Sequence, residues 1–337
     1  MSNFAKATSA IMVLAVLLFA MAGVTAIFSR DKYGPSSEHV IDTYTYVLLN
    51  EEASFDINGI NEIQVKSVSA DVILIPSHET ELKAVFSGKA RLVGIEKPRL
   101  SAQKSGDKII IETIHNDNKP FRLFTFSSYR DLKLNLYLPE SYGKDIALTT
   151  TSGNIDISAF DILKLSNLTC HTVSGEFLAN SIEASDIELR TTSGNIKLDA
   201  SADTLEITTV SGDITSTTLH TKSTELRSAS GDIKIGNYKG DLKFNTVSGN
   251  ISVEYTVFEN DIEGKTISGD VRFKLPHDSE FGIDFTTTSG EIDIRGFSVN
   301  AVTQSKNKYS GTVISNENKI EVSTVSGNLS ISQASIL

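Results

Sequence analysis

From Ile146 onward, apolar residues come in alternating pairs held at fixed distances from a recurring Ser-Gly step. Before the step stand Ile146/Leu148, Leu168/Cys170, Ile187/Leu189, Leu205/Ile207, Leu242/Phe244, Ile283/Phe285 and Ile320/Val322. After it stand Ile155/Ile157, Ile196/Leu198, Ile233/Ile235, Ile251/Val253, Val271/Phe273, Ile292/Ile294 and Leu329/Ile331. Alternation with period two is what a strand with one buried face requires. Each unit therefore predicts two short strands meeting at a corner. The steps at Ser152, Ser174, Ser193, Ser211, Ser230, Ser248, Ser268 and Ser289 are spaced by 22, 19, 18, 19, 18, 20 and 21 residues. The last, at Ser326, follows after 37, close to two units, with a degenerate Ser310-Gly311 between.

A unit of roughly 19 residues has too little apolar material to fold alone, whereas stacked copies bury one continuous core and pair each strand with the next. The expected fold is all-β: a single-chain parallel β-helix or β-solenoid with rungs of about 18–22 residues, preceded by an N-terminal hydrophobic helix. Each Ser-Gly is expected to be a corner where glycine accepts a positive φ. Antiparallel hairpins closed by Ser-Gly are the alternative, but a meander gives no reason for a two-strand repeat recurring nine times. The inward set should include Leu205, Ile207, Ile233, Ile235, Leu242, Phe244, Ile251 and Val253, with Lys243 facing outward.

An earlier copy lacks glycine: Ile63/Val65, then Ser69-Ala70-Asp71, then Val72/Leu74 keep the same offsets. Between it and Ile146 the spacing breaks down into a segment with Pro120, Phe121, Phe124, Phe126, Tyr129 and the alternating Leu132, Leu134, Leu136 and Leu138 before Pro139. Longer, irregular strands covering the first rung are expected there. The chain thus divides into an N-terminal segment (1–30), an irregular capping part (31–145) and the regular repeats (146–337). The phrase is broken at Ile262/Gly264, at Thr224/Leu226 and around Gln304 and Lys306. Tolerated irregularity is the expected reading of those breaks.

The N-terminus adds a location. After Lys6, residues Ala7 to Phe28 carry no charge, and helical rise takes roughly 20 such residues across a bilayer core. A retained single-pass anchor with the β part outside the cytoplasm is the favoured expectation. A cleaved signal, after the small-residue patterns at Ala20-Met21-Ala22 or Val24-Thr25-Ala26, is the alternative and leaves the protein secreted or periplasmic. No cysteine near the run offers a lipid attachment point.

Charge and candidate chemistry narrow the function. A formal net charge of −11 over 337 residues argues against a nucleic-acid partner, whose phosphates demand Lys and Arg. Cys170, the one cysteine, excludes an intrachain disulfide or a cysteine metal cluster and sits in the buried register. Its neighbour His171 should point the opposite way, which argues against a Cys-His pair. His39, His78, His115, His220 and His277 stand singly. Asn154, Glu176, Asn195, Asp213, Asp232, Asn250, Asp270, Glu291 and Asn328 follow the glycines and should form a ladder along one edge. Structural stacking of turn residues is its expected role; calcium binding through stacked carboxylates is the alternative. No catalytic, cofactor or metal residues are assigned.

The phrases Ser67-Val68-Ser69-Ala70-Asp71-Val72, Thr246-Val247-Ser248-Gly249-Asn250-Ile251, Thr286-Thr287-Thr288-Ser289-Gly290-Glu291-Ile292 and the ending from Lys319 to Leu329 resemble the bacterial "putative-adhesin" family of β-strand-repeat proteins, which includes LiaG-like envelope proteins. The resemblance spans roughly residues 40 to 335. It implies a β-helix-like domain, often tethered by an N-terminal membrane segment, and supplies no catalytic residues. The expected function is a noncatalytic extracytoplasmic envelope scaffold or adhesin-like module presenting an extended surface to an envelope protein or cell-surface glycan. An enzyme acting on a polysaccharide is the alternative.

Overall fold

Strands of successive repeats pair side by side in parallel, in the register that the apolar pairs predict. The computed structural model describes residues 46–91, 97–114 and 129–334. The hydrophobic N-terminal run, His39, His115 and the stretch from Pro120 to Phe126 lie outside the described residues. Among those described, 25 strands form one continuous sheet that wraps around one hydrophobic core. Ile207 lies beside Leu226, and Leu226 beside Phe244. On the other limb of the same repeats, Ile196, Ile214, Ile233 and Ile251 follow one another. All eight residues of the expected inward set are buried, and Lys243 is exposed. Parallel pairing excludes the hairpin alternative, because a two-residue turn joins only antiparallel neighbours.

The corner glycines are needed for a reason other than the one the sequence implied. Only Gly249 and Gly269, among the nine, have positive φ. At every one of the nine, a β-carbon would instead overlap backbone atoms of the corner beneath: Gly175 against Gly153, Gly194 against Gly175, Gly212 against Gly194, and onward to Gly290 against Gly327. Close backbone approach, rather than an unusual dihedral, excludes side chains. Ala70 opens the column: Gly153 packs on its carbonyl, and the first rung has no corner beneath it among the described residues. That explains the copy without glycine.

A second corner device lies three residues ahead of most of the glycines, Gly231 excepted, where the buried Ser228 hydroxyl has no partner. The buried Thr150, Thr172, Thr191, Thr209, Thr287 and Thr324 each accept a hydrogen bond from the Gly N–H through Oγ1, at 2.7–3.0 Å. Ser67 does the same for Ala70 N–H at 3.1 Å. At the two positive-φ corners Thr246 instead donates to Thr266, and Thr266 to Ser268 O. The hydroxyl satisfies a buried donor that the turn would otherwise leave unpaired.

Chain order and spatial order diverge at the end. The rung 319–333 does not sit last: Lys319–Ser323 pairs in parallel with both Ile262–Lys265 and Phe281–Thr286. Leu329–Gln333 likewise pairs with both Val271–Leu275 and Ile292–Arg295. The final rung is therefore inserted between two earlier ones, so ten rungs stack in the order 62–77, 145–157, 167–178, 186–198, 204–216, 223–235, 241–253, 261–275, 319–333 and 281–295. Ser310-Gly311 marks no rung, correcting the expected degenerate unit. It lies in a hairpin, Asn300–Ser305 with Lys308–Val313, which is antiparallel and lies along Phe281–Thr286. Gln304 lies in the first strand of that hairpin and Lys306 in its turn, so their lack of an apolar pair is not an irregular rung. Ile314, which follows, takes φ +64° where the chain doubles back, its reversal closed by Ser315 N–H to Val313 O at 2.8 Å.

At the opposite end further strands lie against the first rung. Lys108–Ile114 and Tyr129–Pro139 lie parallel to the first rung. Arg99–Ser105, Glu81–Arg91 and Tyr46–Asp56 then extend them with antiparallel pairs. Leu132, Leu134, Leu136 and Leu138 are all buried.

The broken phrases also find structural causes. Gly264 pairs with Phe244 in the rung beneath, and a β-carbon at Gly264 would overlap the Phe244 ring. Thr224, fully buried, shares a hydrogen bond of 2.7 Å with Thr221. Tyr238 donates its hydroxyl hydrogen to Asp241 O at 2.8 Å, and burial pushes its pKa up to about 12. Both departures are packing solutions rather than lapses.

Candidate interaction surface

The alternation that fills the core sets the outward residues in rows, one residue per rung. Three rows run along the stack, and each has a distinct chemistry.

The first is the ladder that follows the glycines. Its members do line up, and at every link but one a side-chain oxygen accepts the backbone N–H of the next member; Glu176 instead meets the Asn195 side-chain amide at 3.5 Å. Asp71 takes Asn154 N–H (2.8 Å), Asn154 takes Glu176 (2.9 Å), Asn195 takes Asp213 (3.1 Å) and Asp213 takes Asp232 (2.9 Å). Asp232 then takes Asn250 (2.7 Å), Asn250 takes Asp270 (3.1 Å), Asp270 takes Asn328 (3.3 Å) and Asn328 takes Glu291 (2.9 Å). The ladder follows spatial order, passing from Asp270 through Asn328 to Glu291. Its oxygens are engaged in satisfying the corner backbone, the structural role expected of them. Among the described residues, no group of three or more His, Cys, Asp or Glu is placed to hold a metal ion.

The second row is the residue before each Ser. Val68, Val173, Ile267 and Val325 are exposed there, and the carbonyl of each accepts the N–H of a serine in the next corner, as in Ser152 to Val68 and Ser326 to Ile267. The third is ionic and two positions wide, with Glu188, Glu206, Glu225, Lys243 and Glu263 in one register and His171, Arg190, Arg227 and Lys265 in the next outward one. Glu188 meets His171 Nε2 at 3.1 Å and Arg190 at 2.8 Å, while Arg227 joins Glu206 and Glu225 at 2.5 and 2.7 Å. Farther along, Glu263 lies between Lys243 (3.4 Å) and Lys265 (2.9 Å). Such half-exposed pairs contribute little stability each. Their effect is to fix the charge pattern of a face.

Candidate chemistry is sparse. Cys170 is buried, beside Leu148 and Leu189, while its neighbour His171 reaches outward to Glu188. Burial pushes the Cys170 thiol well above its ordinary pKa, the opposite of what a nucleophile needs. His78 lies 3.3 Å from Glu140 and His277 lies 3.9 Å from Asp278. A polysaccharide-cleaving site needs a carboxyl held above its usual range to act as general acid. Glu263 and Asp284 shift the other way, lowered chiefly by hydrogen bonds from Lys265 and from Ser310. The pockets are shallow clefts. One of about 430 Å³ lies among Pro76, Phe160 and Ile162, and one of about 260 Å³ lies at the distal end between Ile292, Phe285 and Tyr309. The row before each Ser and the distal pocket were not singled out from the sequence, although the Val/Thr recurrence was visible in it.

Among the described residues, no helix is long and apolar enough to cross a membrane. Comparison with curated proteins gives no match. Among solved structures, a "putative adhesin" from Parabacteroides distasonis is 12% identical, with a TM-score of 0.48 over 84% of this chain and 97% of its own. A "putative lipid binding protein" from the same organism is 15% identical, with a TM-score of 0.47 over 84% and 96%. A "putative adhesin" from Bacteroides fragilis is 12% identical, with a TM-score of 0.41 over 84% and 97%. The family model described as Toastrack DUF4097 matches residues 60–332, from the first rung through the inserted one. With that match running over most of its length, this chain belongs to the Toastrack DUF4097 family.

Proposed function

We propose that this chain is a noncatalytic extracytoplasmic scaffold of the cell envelope, adhesin-like in presenting an extended surface to a protein or glycan partner. The observation that carries the reading is the unbroken parallel register from Glu62–Ser67 to Phe281–Thr286. It builds long outward rows of polar and ionic groups on a rigid core. Fold alone is a poor guide to function, so the weight rests on those rows and on the protonated, inaccessible state of the one thiol.

In this proposal the repeats form a single-chain β-solenoid (146–337), the irregular strands a cap (31–145), and residues 1–30 a membrane anchor or export signal. The cap then faces the membrane. Nine steps of roughly 4.8 Å between ten rungs carry the far end about 43 Å beyond the first.

Capture from intact envelopes with the full chain tests the reading. A reproducible protein or cell-wall glycan ligand is the expected result, lost when outward residues of one row are replaced. Failure to retain either class of ligand with the folded protein overturns it. Intact-mass analysis of membrane-extracted protein separates a retained anchor from a cleaved signal.

A further inference from the structure

The two limbs of the last rung end differently. Phe281–Thr286 is covered by Lys308–Val313 of the terminal hairpin. Ile292–Arg295 pairs only with Leu329–Gln333, and its other edge carries no strand among the described residues. The consequence shows in the core: Leu329 and Ile331 are fully buried, whereas Ile292 and Ile294, at the same register one rung higher, are half-buried.

The hydrogen-bond direction of that edge follows from the rungs below. Ile251 N–H reaches Asp270 O, Val271 N–H reaches Asn328 O and Leu329 N–H reaches Glu291 O, at 2.8–2.9 Å. Ile292 is the next member of this series, so its N–H and that of Ile294 point away from the stack. Such an edge is a template for another extended strand.

We propose that Ile292–Arg295 pairs with the same strand of a second copy, antiparallel and centred on Ile294, joining two molecules at their distal ends. Charge selects this partner and this register. Asp293 and Arg295 stand on the outer face, where they form an ion pair at 2.7 Å within the strand. Pairing about Ile294 sets Asp293 of each copy opposite Arg295 of the other, twice, in the closer non-hydrogen-bonded positions. Ile294 faces Ile294 in the hydrogen-bonded position, as the edge direction demands. Centring on Asp293 instead would bring two aspartates face to face.

The surroundings allow the approach. The whole chain carries −11, but residues 288–309 hold Glu291 and Asp293 against Arg295, Lys306 and Lys308, a net of +1. The net charge of the chain as a whole is therefore not concentrated at this end, and repulsion between two copies there is weak. Half-buried Phe297 and Val299 adjoin the strand and extend its apolar side. A four-residue strand makes a small, weak interface. Many copies on one surface add through multivalency.

The pairing supplies the partner for the proposed adhesin-like scaffold and rests on that reading for its setting. Sedimentation velocity on the full chain in detergent tests it. The wild type should shift from monomer to dimer as concentration rises. Asp293→Arg and Arg295→Asp should each remain monomeric, an equimolar mixture of the two should dimerise, and the double exchange D293R/R295D should dimerise alone. Melting temperatures report that each variant is folded, and both side chains are exposed enough for the folded state to tolerate the changes. A wild type that stays monomeric, a dimer that survives both single reversals, or a double exchange that stays monomeric overturns the pairing. None of these outcomes affects capture of an envelope ligand by the outward rows, which fails or succeeds separately.

Discussion

The ring of Phe244 occupies the space that a side chain at position 264, its partner in the next rung, would fill. The two positions form one volume, and each should respond to changes at the other. Phe244→Ala should cost about 3–5 kcal/mol through lost burial and a cavity. Gly264→Ala should cost about 1–3 kcal/mol through overpacking. Combining Gly264→Ala with Phe244→Leu should cost less than the sum, a coupling that a double-mutant cycle of urea denaturation reads directly. Lys243→Ala, on the outer face beside Phe244, should stay within about 0.5 kcal/mol.

Corner substitutions should depend on what lies beneath. Gly194→Ala forces a methyl group into the carbonyl of Gly175, and backbone cannot swing aside as a side chain can. Its melting temperature should fall sharply. Ala70→Gly, at the first corner, should be mild, costing roughly 0.5–1 kcal/mol of chain entropy. Equal losses at the two sites would disprove the close-approach account.

The corner threonines give an isosteric test. Thr209→Val keeps the shape but leaves Gly212 N–H without its 2.9 Å acceptor, at a cost of about 1–3 kcal/mol for a buried unpaired donor. Thr246→Val, at a positive-φ corner where no such bond is made to Gly249, should leave the Gly249 amide exchange rate unchanged. Hydrogen exchange at Gly212 should accelerate in the first variant.

Cys170 should be silent in the folded protein. Burial raises its pKa above the ordinary thiol value near 8.5, so the folded state keeps the proton where the unfolded chain has lost it. Its contribution to stability is full below about pH 8.5 and declines as pH rises toward the folded pKa. Labelling by a thiol reagent at pH 9 should proceed at the rate of unfolding. A faster, reagent-limited rate would place the thiol at the surface.

Period-two alternation made the core legible because it reports which face of a strand is buried, and Leu205 through Val253 obeyed it. The ladder from Asn154 to Asn328 was legible for the same reason: a constant offset from a corner becomes a row once copies stack. Neighbour identity was not legible. Nothing within 319–333 distinguishes a last rung from an inserted one, since any rung's edges fit any other's. Ser310-Gly311 misled because the dipeptide suits a strand as well as a corner. The role of the corner glycines also required coordinates, since the carbonyl that excludes a β-carbon belongs to residues 18 to 83 positions away, as Gly231 is from Gly249 and Ala70 from Gly153.

The inserted rung has a mechanical consequence. An ordinary repeat stack pulled by its last residues can unzip from the end, one rung at a time, because the terminal strand is held along a single edge. Here the strands Lys319–Ser323 and Leu329–Gln333 are held along both edges, so tension applied at Gln333 must slide them out from between two neighbours. Breaking both rows of hydrogen bonds together resists force far better than peeling one bond after another. The same clasp makes the far end of the molecule harder to pull open than a stack whose last rung is held along one edge.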